Sequence, residues 1–204
     1  MPDGAWGRPV NGAPSTHILK PELPEYPNTV ENEAFCMRLA KHLGVPAAEV
    51  AVTTIGSRKM LVVTRFDRQV GADGTTVRVH QEDFCQATGT NPQHKYQDDG
   101  GPSLSRVASI ASSYDPPSLE SLLRLLTLDL LVGNGDAHAK NFALLHLLHD
   151  DQGARLTLRL APAYDVLSTL HYGDDRLAMY VDNVRRATNV TRQRLHNEAA
   201  SWGV

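Results

Sequence analysis

The apolar positions of the chain change their period several times, and each change marks the edge of an element. Thr16-His17-Ile18-Leu19-Lys20 reads as a short strand stopped by Pro21, after a Gly- and Pro-rich start. From Glu31 to Leu43, Phe35, Leu39 and Leu43 recur with Cys36 and Ala40 at helical spacing, and Gly44 and Pro46 supply a stop. The pattern predicts a helix there. Val50 to Ile55 and Met60 to Phe66 are rich in β-branched residues and are separated by Gly56-Ser57, which predicts two strands paired antiparallel. Asp73-Gly74 lies between Arg68 and Val79 as a hairpin-type turn, and Gln81 to Ala87 reads as a short helix.

Residues 89 to 103 carry Gly, Pro, Asn, Asp and Gln with little apolar content, a long loop of the kind that is functional or mobile. Leu104 to Ser112 reads as a helix. A stronger one is expected from Ser118 to Val132, where Leu119, Leu122, Leu123, Leu126 and Leu130 form a stripe, Ser118 follows Pro116-Pro117 as N-cap and Gly133 ends the run. Phe142 to Leu148 and Arg155 to Leu160 read as strands joined through a turn at His149 to Gly153. The remainder, Leu177 to Val204, is expected to be helical or irregular. There is no internal repeat.

The 204 residues, 41% hydrophobic and 21% charged, suit one domain or two small lobes with a sizeable core. No apolar run approaches the roughly 20 residues needed to cross a bilayer, and the start has no basic and apolar signal segment, so the expectation is a cytoplasmic protein with no membrane role. Cys36 and Cys85 sit in predicted helices without metal-ligand spacing and are expected to be buried thiols. Twenty Lys and Arg against 23 Asp and Glu, a net charge of −3, argue against a generic binder of nucleic-acid backbones. Arg185, Arg186, Arg192 and Arg194 form a late basic cluster, expected to be a solvated helix face.

The densest chemistry lies in Gly135-Asp136-Ala137-His138-Ala139-Lys140-Asn141, with Asp165 following the predicted hairpin. A carboxylate, a carboxamide five positions later and a second carboxylate beyond the next hairpin is the layout of a phosphotransfer site. In that layout Asp136 accepts the proton of the acceptor hydroxyl, while Asn141 and Asp165 hold Mg²⁺, a hard cation that takes few protein ligands and keeps several waters. The hairpin would bring Asn141 and Asp165 into one cleft. Other readings of the same residues exist: Asx side chains capping their own loop, a packed His138, a solvated strand-end Lys20, or a metal-dependent hydrolase using Asp136, His138 and Asp165.

These blocks, together with Glu31-Asn32-Glu33-Ala34-Phe35-Cys36, Arg65-Phe66-Asp67-Arg68, Gln81-Glu82-Asp83, Lys95-Tyr96, Asp99-Gly100-Gly101-Pro102, Ala163-Tyr164-Asp165 and Leu177-Ala178-Met179, resemble the HipA family in kind and order. The resemblance runs from about residue 16 to 180. Members are bacterial serine/threonine kinases that act as the toxin half of toxin-antitoxin modules.

The resemblance implies an α+β, protein-kinase-like two-lobed fold, with residues 1–68 as the remainder of a small lobe and 69–204 as a mainly helical large lobe. It implies transfer of the ATP γ-phosphoryl to a protein hydroxyl with Mg²⁺. Lys20 would contact the nucleotide phosphates with Glu33 as its ion-pair partner, and Thr64, Arg65 and Phe66 would form the hinge against adenine. Asp136 would be the catalytic base. His138, Ala139, Lys140 and Asn141 would line the phosphate and metal site, and Tyr164-Asp165 would replace the usual metal motif. The partners implied are a protein with an acceptor Ser or Thr and a helix-turn-helix antitoxin, with DNA met only through the antitoxin. The family's glycine-rich loop has no counterpart in Gly4, Gly7 and Gly12, and the helical region after Met179 is short, so the expectation is a chain truncated at both ends. Two alternatives follow: a weak or inactive remnant that binds an antitoxin, or a lipid-kinase-like phosphotransferase.

Overall fold

The computed structural model describes residues 6–149 and 155–204, and the predicted turn at His149 to Gly153 lies largely outside them. Strand β1, His17–Pro21, leads into helix α1, Thr29–His42, and then the hairpin of β2, Val50–Ile55, and β3, Arg58–Thr64. These strands form one antiparallel sheet in the order β1-β3-β2, with Lys20 opposite Leu61 and Val52 opposite the same residue from the other side. The β-branched composition of both hairpin arms agrees with this pleated surface.

The buried side of α1 is formed by Val30, Glu33, Ala34, Cys36, Met37 and Ala40. Cys36 and Ala40 of the apolar stripe are thus buried and Leu39 packs on the core, while Phe35 is 65% exposed and Leu43 52% exposed. Small residues at 34 and 40 let the helix approach the core closely, and Met37 fills the space that remains. Phe35 and Leu39 instead flank a shallow groove with Val52.

A two-stranded hairpin follows, β4 at Arg68–Val70 and β5 at Thr76–Arg78, closed by the predicted Asp73-Gly74 turn in which Asp73 accepts from Thr75 N at 2.9 Å. The expected helix from Gln81 to Ala87 is divided. Strand β6, His80–Asp83, pairs with a later strand, and only Phe84–Ala87, α2, is helical. Asp83 and Gln86 form a reciprocal capping box, so the helix starts where the strand pairing ends. The loop after it contains two short 3₁₀ turns, Pro92–His94 and Gln97–Asp99.

Helices α3, Leu104–Tyr114, and α4, Ser118–Val132, pack together, and α4 presents Leu122, Leu125, Leu126, Leu128 and Asp129 to the interior. Ser118 is the first helical residue, not the cap. Its hydroxyl donates to Asp115 Oδ2 at 2.7 Å and accepts from Leu160 N at 3.2 Å, fixing the helix start to a strand instead of to its own first turn. Strands β7, Ala143–His149, and β8, Arg155–Leu160, complete a sheet ordered β6-β7-β8.

The last region departs most from expectation. Leu177 onward is first a hairpin, β9 at Arg176–Val181 and β10 at Val184–Arg186, and only then helix α5, Arg192–Trp202. Asp182 and Asn183 take left-handed conformations at the turn, which these two residue types tolerate. The basic cluster is consequently split between hairpin and helix, and three of its members pair: Arg185 with Asp98, Arg186 with Asp175 and Arg194 with Asp182.

One continuous buried cluster links Met37 of α1, Phe84 of α2, Val107 of α3, Leu122 of α4, Leu144 of β7 and Val181 of β9. Cys36 and Cys85 are buried, free thiols, as expected. Burial pushes the Cys36 thiol up to about 11, so it is not a reactive thiolate. Among the described residues no helix is long and apolar enough to cross a membrane.

Candidate active site

A cleft of about 950 Å³ opens between the β1-β3-β2 sheet with α1 on one side and the loops around Gly135 and Asp165 on the other. Lys20, Glu33, Asp136 and Asp165 all line it. Lys20 Nζ donates to Glu33 Oε1 at 2.7 Å and also to Asp165 Oδ1, so one ammonium joins two carboxylates. Burial works against the charged form of Lys20, but Glu33 and Asp165 outweigh it and raise the lysine's pKa. Glu33 is raised as well: its burial, with Asp165 nearby, exceeds the stabilisation from Lys20. The predicted Lys20–Glu33 contact is present.

Asp165 is held from three directions. Before it, Ala163 N donates to Pro46 O at 2.7 Å and Ala163 O accepts from Ala48 N at 2.9 Å, a short bridge to the segment after α1. Beside it, Tyr164 Oη donates to Lys140 O at 2.7 Å, and the tyrosine ring packs on Phe66 with centroids 5.5 Å apart. After it, Ser168 is bonded to Asn32 on α1. This framework accounts for a left-handed Asp165, φ 60°, a conformation that costs a non-glycine residue of the order of 1 kcal/mol.

The catalytic-loop candidate begins where α4 ends at Gly133. Gly135 N donates to Thr169 Oγ1 at 2.8 Å and Gly135 O accepts from Ala178 N at 2.8 Å, which lays the loop against β9. A Cβ at Gly135 would stand 2.2 Å from Arg176 O, so only glycine fits this approach. Asp136 Oδ1 accepts from Tyr96 Oη at 2.7 Å, while Oδ2 faces His138 Nε2 at 4.0 Å. Asn141 turns its amide nitrogen to Asp136 O at 3.0 Å. That bond fixes the side chain and leaves its oxygen as the atom available to a ligand.

The site therefore offers a carboxylate at Asp165 and an amide oxygen at Asn141, hard donors of the kind Mg²⁺ takes, and a lysine ammonium already occupies the anionic position at Asp165. Among the described residues no group of three His, Cys, Asp or Glu is placed to hold a metal ion.

Not every predicted residue reaches the cleft. Ala139 and Asn141 are buried in the short turn after His138, and Lys140 contributes its carbonyl to Tyr164. Thr64 and Arg65 are away from the lining. Their backbone N–H groups donate to Glu49 O at 2.8 Å and Thr16 O at 3.0 Å, and the Arg65 guanidinium grips Asp67. Phe66 approaches the site only through its packing on Tyr164.

Four residues carry geometry that composition did not reveal: Asn32, Lys95, Tyr96 and Thr169. Lys95-Tyr96 stands in a recognisable block without an obvious role, and Asn32 is signalled only as a polar residue beside Glu33 on a helix face that turns inward.

The model of the HipA-like C-terminal domain matches residues 5–202. The chain belongs to this family. A serine/threonine-protein kinase toxin HipA of Shewanella oneidensis is 35% identical over 185 residues, which are 83% of this chain and 41% of that protein. Y4mE of Sinorhizobium fredii, named only provisionally as a kinase, is 45% identical over 84% of this chain and 40% of its own length. The HipA-like chain thus spans less than half of these curated relatives. Its fold superimposes on the Shewanella oneidensis HipA, solved with HipB and operator DNA, at a TM-score of 0.82 with 30% identity, covering 93% of this chain and 46% of that one. A Helicobacter pylori proinflammatory kinase, CtkA, shares the fold at a TM-score of 0.61 and 15% identity, covering 91% and 73% of the two chains. The α+β architecture agrees with both.

Proposed function

We propose that this chain carries the phosphotransfer site of a HipA-type serine/threonine kinase, using ATP as donor and a protein hydroxyl as acceptor. The observation that carries the reading is Lys20 held jointly by Glu33 and Asp165 in the same cleft as Asp136. Residues 1–68 and 69–204 would be the two lobes on either side of that cleft.

In this reading Lys20 binds donor phosphate oxygens while Glu33 fixes its direction. Asp165, once donor phosphate takes its place on Lys20, and Asn141 through Oδ1 would be the residues that hold Mg²⁺. The cation would neutralise charge on the donor phosphates. Asp136 Oδ2 takes the acceptor proton while Tyr96 holds Oδ1, so the base is oriented before the acceptor arrives. Phe66 and Tyr164 form the apolar contact nearest the proposed hinge, and Thr64 and Arg65 would contribute backbone carbonyls to the adenine edge.

A HipB-like helix-turn-helix antitoxin would be the protein partner, by analogy with the complex in which the Shewanella oneidensis relative was solved. DNA contact would then pass through that partner.

The test is a thermal shift with ADP or a non-hydrolysable ATP analogue, with and without Mg²⁺, followed by transfer of labelled phosphate in wild type, Asp136→Asn and Asp165→Asn. Mg²⁺-dependent stabilisation that Asp165→Asn loses and Asp136→Asn keeps, with transfer lost in both, supports the assignment. Equal transfer by Asp136→Asn and wild type would remove Asp136 from the role of base.

A further inference from the structure

Lys95 lies between the two short turns that precede α3, and its Nζ is 2.7 Å from His138 Nε2. An ammonium can only donate, so Nε2 must present its lone pair, and the imidazole is neutral with its proton on Nδ1. Burial, more than the neighbouring lysine, pushes the His138 pKa down against the pull of Asp136, in agreement with that state. Nδ1 is buried and has no hydrogen-bond partner among the described residues. The imidazole thus leaves one ring nitrogen unsatisfied and gives the other to Lys95. That arrangement is costly for a histidine that merely packs.

The lysine is equally unusual. Its ammonium lies over the Tyr96 ring at 4.8 Å, and among the described residues no carboxylate pairs with it. His138 Nε2 is in turn 4.0 Å from Asp136 Oδ2, so this unpaired cation sits one imidazole nitrogen away from the proposed base. The backbone is fixed to match: Ala139 N donates to Lys95 O at 3.4 Å, and Gly101 packs so closely under the turn that a Cβ there would stand 2.6 Å from Tyr96 O. An ammonium anchored by a neutral acceptor, beside a site for phosphate chemistry and without an anion of its own, is suited to an anion that arrives only with substrate.

We infer that Lys95 is a further phosphate-contacting residue of this site, its ammonium binding a non-bridging oxygen of the phosphoryl group in transfer while His138 Nε2 aims it. The inference rests on the kinase reading. In the step itself the acceptor oxygen forms a bond to the γ-phosphorus as the bond to the β,γ-bridging oxygen breaks. ADP leaves with that electron pair, and the acceptor proton passes to Asp136. Lys95 stays protonated throughout and contributes charge alone.

Calorimetry in the presence of Mg²⁺ tests this with two probes, ADP alone and ADP with aluminium fluoride, which mimics the phosphoryl group in flight. Wild type should bind the second combination more tightly. Lys95→Met should bind ADP within about twofold of wild type yet lose roughly tenfold or more of the added tightening, with Lys95→Arg recovering part of it. Nitrogen chemical shifts of His138 should show an unprotonated Nε2 in wild type and a changed Nε2 signal in Lys95→Met, a readout independent of turnover. Full tightening in Lys95→Met overturns the inference and leaves the kinase reading standing. Failure of wild type to bind ADP overturns both. If Lys95→Met does not fold, Lys95→Arg and Lys95→Gln take its place, and equal fluoride tightening in Lys95→Gln and wild type overturns the inference.

Discussion

Asn32 and Ser168 exchange two hydrogen bonds across 136 residues of sequence: Asn32 Nδ2 donates to Ser168 O at 2.9 Å, and Asn32 Oδ1 accepts from Ser168 N at 2.9 Å. The side-chain amide behaves as a one-residue strand partner. It ties helix α1, which carries Glu33, to the segment that carries Asp165. Asn32→Ala would leave a backbone donor and acceptor at Ser168 without partners, so a stability loss of about 2 kcal/mol is expected. Weaker Mg²⁺-dependent nucleotide binding should accompany it. Denaturant titration and nucleotide thermal shift check the pair of effects, and unchanged nucleotide binding would show that the Asp165 segment supports itself.

Lys20 makes a prediction whose sign depends on pH. Lys20→Met leaves Glu33 buried without its cation, which raises the carboxyl further from its ordinary value. A carboxyl raised in the folded state is neutral in both states at low pH, and its cost grows as pH climbs through the unfolded and then the folded pKa. The variant should therefore be closest to wild type near pH 4 and fall away toward pH 8. Lys20→Met with Glu33→Gln should recover most of the lost stability at pH 8 while still failing to bind nucleotide. Melting temperatures of the three proteins across that range decide the matter, and a pH-independent loss in Lys20→Met would mean that Glu33 is not left charged and alone.

The local elements near the site were legible because turn chemistry and β-branching act over a few residues. Gly56-Ser57, Asp73-Gly74 and Gly133 mark their turns and the helix end, and β1 to β3 follow. Helix phase was legible only in part: Cys36 and Ala40 of the α1 stripe are buried, but only packing puts Ala34 and Met37 inside and leaves Phe35 and Leu43 out. The β6 strand and the β9-β10 hairpin were missed for a related reason. Their pairing partners are distant in sequence or joined by a turn of Asp182 and Asn183 without glycine or proline. At the site, spacing identified Asp136, Asn141 and Asp165, and resemblance added Lys20 and Glu33; the fold lines one cleft with Lys20, Glu33, Asp136 and Asp165 and buries Asn141 against the Asp136 backbone. Spacing had no means of finding Tyr96, 40 residues before Asp136, since only the folded loop delivers its hydroxyl.

Tyr96 supplies the third prediction. Its hydroxyl donates to Asp136 Oδ1 at 2.7 Å, and burial, followed by the bond to Asp136, raises its own pKa, so it remains a donor across the accessible pH range. Tyr96→Phe removes the donor and keeps the ring that Lys95 and His138 pack against. The expected result is a fall in kcat of roughly tenfold with the nucleotide KM little changed, since the loss concerns orientation of the proposed base. Steady-state kinetics with the nucleotide varied separates the two parameters. A rise in KM alone would place Tyr96 in nucleotide binding.

Asp129, at the end of α4, is buried with Asn134 Nδ2 donating to its Oδ1 at 2.8 Å, while Asn134 Oδ1 has no partner among the described residues. Burial pushes the carboxyl up to about 7, against the opposing pull of that hydrogen bond. Below the ordinary value of 3.8 the group is neutral folded and unfolded and costs nothing. Between there and about 7 only the unfolded chain ionises, so folding stability declines with rising pH, and above that range the penalty is complete. Asp129→Asn keeps an acceptor for Asn134 Nδ2 and removes the buried charge. It should be neutral near pH 4 and stabilising at pH 8 by an amount on the order of a few kcal/mol. Because Asn134 opens directly into Gly135 and Asp136, the same substitution should hold the proposed catalytic loop more firmly at alkaline pH, seen as slower amide exchange at residues 133 to 138. A stability change of equal size at pH 4 and pH 8 would show that Asp129 does not titrate between them.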